Sequence, residues 1–346
     1  MGIIIRFVGF LSLACAGASL LSAAPWDSEV VFRSDVTLVR VDAQVIDGGK
    51  RTITDLRAED FVLREDGRLL PIRNFASEDM PLDVLVLLDV SASMRRHVQR
   101  IADASQQALK VLDPRDRIGI MVFDRFTRLR LPFSATQTFQ RELDRVMDEE
   151  PFSGGTDITR AMLDAASYVQ REGRRDARRA IVILTDDQTE FDRNEAAVSL
   201  SLARSDAVMC ALIAPGYVQT QSAGTVQIAR SSGGDAMSIN QASALEKTFL
   251  RIRQRYSLYF TLPEGVKPGQ ERNIEVGLAD TARLRFTGAE VQYRRVYMVP
   301  NASADAARTS VTPKPGERGD PISSPSSKDS DARKSRAQPS EPRDNW

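Results

Sequence analysis

The chain has 346 residues, with 47 lysines and arginines against 47 aspartates and glutamates, and 42% of its residues are apolar. That length and apolar share support one large domain or two smaller ones, each with its own core. The zero net charge offers no electrostatic footprint for nucleic acid or for an anionic membrane surface.

Residues 1–24 carry Arg6 as their only charge, followed by an apolar run and a small-residue region, the pattern of a secretory signal peptide. A retained membrane anchor is one alternative, although Gly, Ser and Ala interrupt the run and its length is marginal for spanning. Lipidation at Cys15 is another, against which Ser12 stands where a larger aliphatic residue is usual. The expected location is exported, periplasmic or extracellular, with membrane association only through an uncleaved or lipidated N-terminus. Removal of the leader leaves Cys210 as the only cysteine, so no disulfide framework is expected. Its apolar neighbours place that thiol in a buried strand.

From Asp35 to Asp47 the residues Thr37, Val39, Val41, Ala43 and Val45 form the more uniformly apolar face of a half-buried strand. A turn follows at Asp47–Lys50, and residues 61–75 read as a hairpin around Asp66-Gly67. Residues 30–80 therefore form a small β-rich segment. Strand and helix then alternate through residues 81–257. The apolar runs 83–89, 117–123, 179–186 and 207–214 read as strands, the first and third buried on both faces. Between and after them, Val98, Ile101, Ala104, Ala108 and Leu112 follow helical spacing, as do Ile158, Met162, Ala165 and Val169. Further helices are expected over 139–147, 194–205 and 242–255. Residues 256–263, 272–279 and 283–298 return to strand patterning.

The fold class is thus α/β: a doubly wound, mostly parallel, Rossmann-like sheet over 81–257, flanked by a small β-rich domain. Its two pieces, 30–80 and 258–299, are expected to pair with each other. Residues 300–346 are dominated by Ser, Pro, Asp, Arg and Lys and are expected to be disordered.

Three places near the carboxyl ends of expected strands carry oxygen-bearing side chains: Asp89, Ser91 and Ser93; the loop Ser153–Asp157 containing Thr156; and Thr185, Asp186 and Asp187. In a doubly wound sheet all three lie on one rim, where ligands bind. Carboxylates and hydroxyls without His or Cys suit the hard cations Mg²⁺, Mn²⁺ or Ca²⁺. Gly154 and Gly155 remove the steric obstacle to a close approach of Thr156. Each piece also has an ordinary reading: D-x-S-x-S and Gly-Gly-Thr both occur as helix caps, and a strand often ends in aspartate. The conjunction, in this order across an α/β pattern, points to a site.

That order resembles the von Willebrand factor A domain. Its metal-ion-dependent adhesion site is matched by Asp89, Ser91 and Ser93 in the first element, Thr156 in the second and Asp186 in the third. The resemblance implies a bound Mg²⁺, or Mn²⁺ or Ca²⁺, anchored by Asp89, Ser91 and Ser93. It further implies that Thr156 switches between direct and water-mediated contact and that Asp186 binds directly or through water. A protein partner would supply an Asp or Glu to the ion. The family usually has glycine where this chain has Asp187, which adds a charge near the site. The flanks, 36–75 and 250–260, are similar to bacterial VWFA-related proteins of the acidobacterial type, though the usual R-x-G-Y ending is replaced by residues 293–298, YRRVYM.

The expected function is an exported, non-enzymatic binding protein of adhesion type. A structural or assembly factor of the envelope with a non-essential metal site is the alternative, and a metal-assisted hydrolase a third. Asp89 and Asp186 could pair for hydrolysis, but no general base with a distinct environment is evident. His97 is the only histidine, which excludes a triad or zinc site of histidines elsewhere, and it is expected on the exposed side of its helix. The basic run Arg171–Arg179 reads as a solvated loop. Arg318-Gly319-Asp320 reads as a chance occurrence, and the glycosylation sequon at Asn301 would mean little in a bacterial protein.

Overall fold

The computed structural model describes residues 38–77, 80–216, 221–263 and 265–300. The leader, Cys15, Asn301, the tail beyond Pro300 and its Arg-Gly-Asp triplet lie outside the described residues.

In chain order the β-rich segment contributes β1 (Leu38–Ile46), β2 (Phe61–Glu65), β3 (Arg68–Leu70) and β4 (Asn74–Ala76). The alternating part follows with β5 (Leu82–Asp89), α1 (Arg95–Leu109), β6 (Arg117–Phe123), β7 (Thr127–Ala135), α2 (Phe139–Glu149), α3 (Ile158–Glu172) and β8 (Arg178–Thr185). It continues through β9 (Gln188–Thr189), α4 (Glu195–Ser205), β10 (Ala207–Ile213), β11 (Gln221–Ser222), α5 (Thr225–Ser231), β12 (Ala236–Ser238) and α6 (Ala244–Arg253). The chain then returns to β13 (Tyr256–Thr261), β14 (Glu271–Asn273), β15 (Glu275–Leu278), α7 (Asp280–Arg285), β16 (Glu290–Tyr293) and β17 (Val296–Met298).

The main sheet has the order β12-β10-β8-β5-β6-β7. All its neighbours run parallel except β7, which pairs antiparallel with β6 at the edge. Pro132 is tolerated there because an edge strand need not donate on its outer side. Every residue of β5 and β8 is buried, and their side chains divide between two cores. Val84, Val86 and Leu88 pack with α1, α2 and α6, while Leu85 and Leu87 pack with α3, α4 and α5. This is the α/β, mostly parallel architecture anticipated from the apolar runs. The chain proceeds from β5 to β6 on one side and later to β8 on the other, so the order reverses at β5, where α/β sheets open a ligand crevice.

In the β-rich part, β1 is the hinge of the architecture. It pairs antiparallel with β13 (Val41 opposite Leu258) and with β16 (Ala43 opposite Tyr293). Val39, Val41, Ala43 and Val45 face a third core shared with the β15-β2-β3 sheet. The hairpin between β2 and β3 turns at Asp66 (φ 48°) and Gly67 (φ 77°), the left-handed pair that a two-residue hairpin loop requires.

Three details depart from the sequence reading. Residues 283–285, read as the start of a strand, belong to helix α7, where one residue per turn, Ala282, docks into the core while Leu284 stands 82% exposed. The basic run is not a solvated loop throughout: Arg174 and Arg117 both pair with the buried Asp83, and Arg178 is fully buried. Arg178 donates to the carbonyls of Ile252, Arg253 and Arg255 and to Ser257 Oγ, and lies 3.5 Å from the Asp42 carboxylate, tying the main sheet to β1 and β13. Burial alone would raise the Asp42 pKa, but Arg40 and Arg178 outweigh it and hold the carboxyl at about 2. His97 is half-buried rather than exposed.

Candidate metal centre

Strand β5 ends by placing Asp89, fully buried, at the rim. Asp89 Oδ1 accepts the Ser91 N–H at 2.9 Å, and Oδ2 accepts the Thr185 hydroxyl at 2.7 Å. Burial pushes the Asp89 carboxyl up to about 6; the bonds from Ser91 and Thr185 oppose that rise, and the nearby Asp186 charge adds to it. The 3₁₀ turn Ala92–Met94 then leads into α1. Neither serine caps these helices: Ser91 has extended backbone but no side-chain cap bond, and α1 likewise starts without one. The hydroxyls instead face each other and the second carboxylate. Ser91 Oγ lies 3.2 Å from Ser93 Oγ, and Ser93 Oγ donates to Asp186 Oδ2 at 2.7 Å.

Asp186, 8% exposed, follows β8 and accepts the Gln188 N–H through Oδ1 at 3.1 Å. Asp89, Ser91, Ser93 and Asp186 are thus joined through direct contacts, with Thr185 bracing Asp89 from behind. Thr156 makes no hydrogen bond with any of these four residues. It is buried, its carbonyl accepts Thr189 Oγ1 at 3.0 Å and the Glu190 N–H at 3.3 Å, and its hydroxyl makes no hydrogen bond among the described residues. The cap of α3 is Asp157, whose carboxylate accepts the Arg160 N–H, leaving Thr156 without that duty.

The charges of these two carboxylates set them apart. Five other acidic side chains in the described residues are buried: Asp60, Glu65, Asp83, Asp116 and Glu150. Each has an arginine partner, in turn Arg285, Arg272, Arg117, Arg253 and Arg128. Asp89 and Asp186 have no ion-pair partner among the described residues. Two buried carboxylates side by side without a counter-charge are costly unless a cation joins them.

The donor set fits a hard cation. Adjacent ligands of an octahedral Mg²⁺ at about 2.1 Å lie ~3 Å apart, and the Ser91–Ser93 Oγ separation is 3.2 Å. No group of three or more His, Cys, Asp or Glu side chains able to hold a metal occurs among the described residues, so hydroxyls would have to complete the shell.

Two residues act differently from the sequence reading. Asp187, at φ 62°, turns its carboxylate to Ser222 Oγ (2.6 Å) and the Thr225 N–H (3.1 Å), so it pins β11 and the start of α5. Gly154 takes φ +89° with open space beside it, but a Cβ on Gly155 would collide with the Glu190 carboxylate. Gly155 therefore makes room for Glu190, which pairs with Arg125 at 2.9 Å. Neither Arg125 nor Glu190 was legible as part of the rim, since nothing in their local sequence marks them.

Residues 84–188 match the family model of the von Willebrand factor type A domain. No curated protein matches the chain. Among solved structures, the chain is similar to an aerotolerance-related membrane protein from Bacteroides fragilis, with 20% identity and a TM-score of 0.41, covering 49% of this chain and 98% of that one. It is also similar to proximal thread matrix protein 1 from the mussel byssus with a zinc-occupied MIDAS motif, with 15% identity and a TM-score of 0.42, covering 51% of this chain and 48% of that one. A von Willebrand factor type A structure from Catenulispora acidiphila gives 13% identity and a TM-score of 0.43, covering 79% of this chain and 76% of that one.

Proposed function

Residues 84–188 being a von Willebrand factor type A domain, we propose that this chain is a binding protein that holds a divalent cation at the rim of the main sheet and captures a protein partner through an Asp or Glu. The observation that carries this is the pair of buried carboxylates, Asp89 and Asp186, which alone among the buried acids of the described residues lack an arginine. Ser91 and Ser93 supply the neutral oxygens that face them, and the uncommitted Thr156 hydroxyl is the third. A Mg²⁺, Mn²⁺ or Ca²⁺ ion held mainly by hydroxyls retains the electrophilicity to take a carboxylate from outside.

Binding suits the geometry better than catalysis. All four oxygens of Asp89 and Asp186 already accept hydrogen bonds, from Ser91 N, Thr185 Oγ1, Gln188 N and Ser93 Oγ. We take that arrangement to hold the carboxylates as supports for an ion rather than as general bases. We also place the chain outside the cytoplasm, on the pattern of residues 1–24. No helix of the described residues is long and apolar enough to cross a membrane.

The test is a capture experiment from a cell-envelope extract, run with and without chelator, using the wild-type chain beside Asp186→Ala. The reading expects a partner retained by wild type in Mg²⁺ and lost with either chelator or the substitution. Capture that survives both would overturn it.

A further inference from the structure

Among the described residues the two phenylalanines that stand exposed, Phe126 at 65% and Phe191 at 42%, both flank the Thr156 loop. Phe126 belongs to the turn between β6 and β7, where Asp124 Oδ1 accepts the Phe126 N–H at 2.9 Å. The carbonyl of that same Asp124 accepts the N–H of Asp157, next to Thr156. On the other side, the Phe191 N–H donates to Thr189 Oγ1, which itself donates to the Thr156 carbonyl. Arg125 and Glu190, the chain neighbours of the two rings, pair with each other across Gly155. Both phenylalanines are therefore held on braced turns next to the metal centre, and neither belongs to any of the three cores. Apolar rings kept in water beside a binding site are the usual anchors of a protein interface.

We propose that Phe126 and Phe191 form an apolar collar around the cation, and that the partner is a protein segment presenting one Asp or Glu flanked by large apolar side chains. This rests on the metal-dependent capture reading above and narrows its partner. Charge complementarity sets the central acid, because neutral hydroxyls make up much of the proposed shell and leave the ion able to take a carboxylate from outside. The flanks are set by the rings and by the mostly matched charges next to them: Arg125 pairs with Glu190, Arg193 with Glu195, and Asp187 is bonded to Ser222 and Thr225, while Asp192 has no ion pair among the described residues. Polar flanks would leave both rings in water; apolar flanks cover them.

A phage-displayed random heptapeptide library, bound in Mg²⁺ and eluted with chelator, tests this with the wild-type chain and the double variant Phe126→Ser/Phe191→Ser. Titration with Mn²⁺ establishes that both proteins are folded and hold the ion. The collar predicts that wild type enriches peptides with an acid between Leu, Phe or Ile, and that the double variant binds those peptides about tenfold more weakly while taking up Mn²⁺ equally well. Enrichment of acids without apolar flanks, or equal binding of the selected peptides by both proteins, would overturn the collar alone. If Mn²⁺ binds and no chelator-eluted peptide is enriched, the capture reading itself fails and the collar falls with it.

Discussion

Asp89→Asn should make the metal-free protein more stable while abolishing its response to metal. In the absence of a cation, burial lifts the Asp89 carboxyl from 3.8 to about 6. Each pH unit is worth about 1.4 kcal/mol, so ionised Asp89 costs the fold about 3 kcal/mol above pH 6. Because the folded value is the higher one, the cost is absent below about pH 4 and grows as pH rises from there to 6. The amide has nearly the shape of the carboxylate, and its oxygen can still accept the Ser91 N–H. Its NH₂ would meet the Thr185 hydroxyl, which can turn to accept it but gives up the charge-assisted bond it now donates, worth about 1–2 kcal/mol. That bond already tempers the value of about 6, so its loss is no further cost, and the net gain should be about 3 kcal/mol at pH 7.5, falling toward zero at pH 4 where Asp89 is protonated. Urea unfolding in chelator at both pH values measures it, and repeating the pH 7.5 curve in Mg²⁺ should stabilise wild type but not the variant. A variant that is no more stable than wild type in chelator at pH 7.5 would refute the claim that this carboxylate lacks a counter-charge.

Arg178→Ala would strip donors from the carbonyls of Ile252, Arg253 and Arg255 and leave Asp42 with less compensation. A loss of about 3–5 kcal/mol in urea unfolding is expected. Asp187→Gly relieves the left-handed strain at φ 62° but removes the bonds to Ser222 and Thr225; the opposing terms, each about 1 kcal/mol, should leave global stability nearly unchanged while hydrogen exchange at the Thr225 amide accelerates. Gly155→Ala should displace the Glu190 carboxylate and break its pair with Arg125, at a cost below about 1 kcal/mol because both side chains are substantially exposed. A thermal-unfolding comparison of Gly155→Ala with Glu190→Gln checks that the two changes act through the same pair.

What could be read from the sequence was what local pattern determines. Strands buried on both faces must be continuously apolar, so residues 83–89 and 179–186 announced the centre of the sheet, and the alternation of Val39, Val41, Ala43 and Val45 announced a one-sided strand. Helix α7 was misread because its short amphipathic run resembles strand alternation over so few residues. The serines after β5 were ambiguous for a chemical reason: capping and cation binding use the same side chains. Only whether Oγ meets a backbone N–H or another oxygen separates the two, and here Ser91 meets Ser93, and Ser93 meets Asp186. The remaining misreadings share a cause in long-range contact. Arg178 is buried because carbonyls at the end of α6 receive it, and Gly155 is small because Glu190 lies over it. Neither partner is near in sequence.

The proposed cation site makes Asp89, Ser91, Ser93, Thr156 and Asp186 ligands of one divalent ion. Isothermal titration of the metal-free protein with Mn²⁺, beside Asp89→Asn and the double variant Ser91→Ala/Ser93→Ala, tests it most directly. The account expects one ion per wild-type chain, displaced by Mg²⁺ in competition, and at least a tenfold loss of affinity in both variants, equivalent to about 1.4 kcal/mol. No Mn²⁺ binding by the folded wild-type chain, or binding undiminished in both variants, would contradict it.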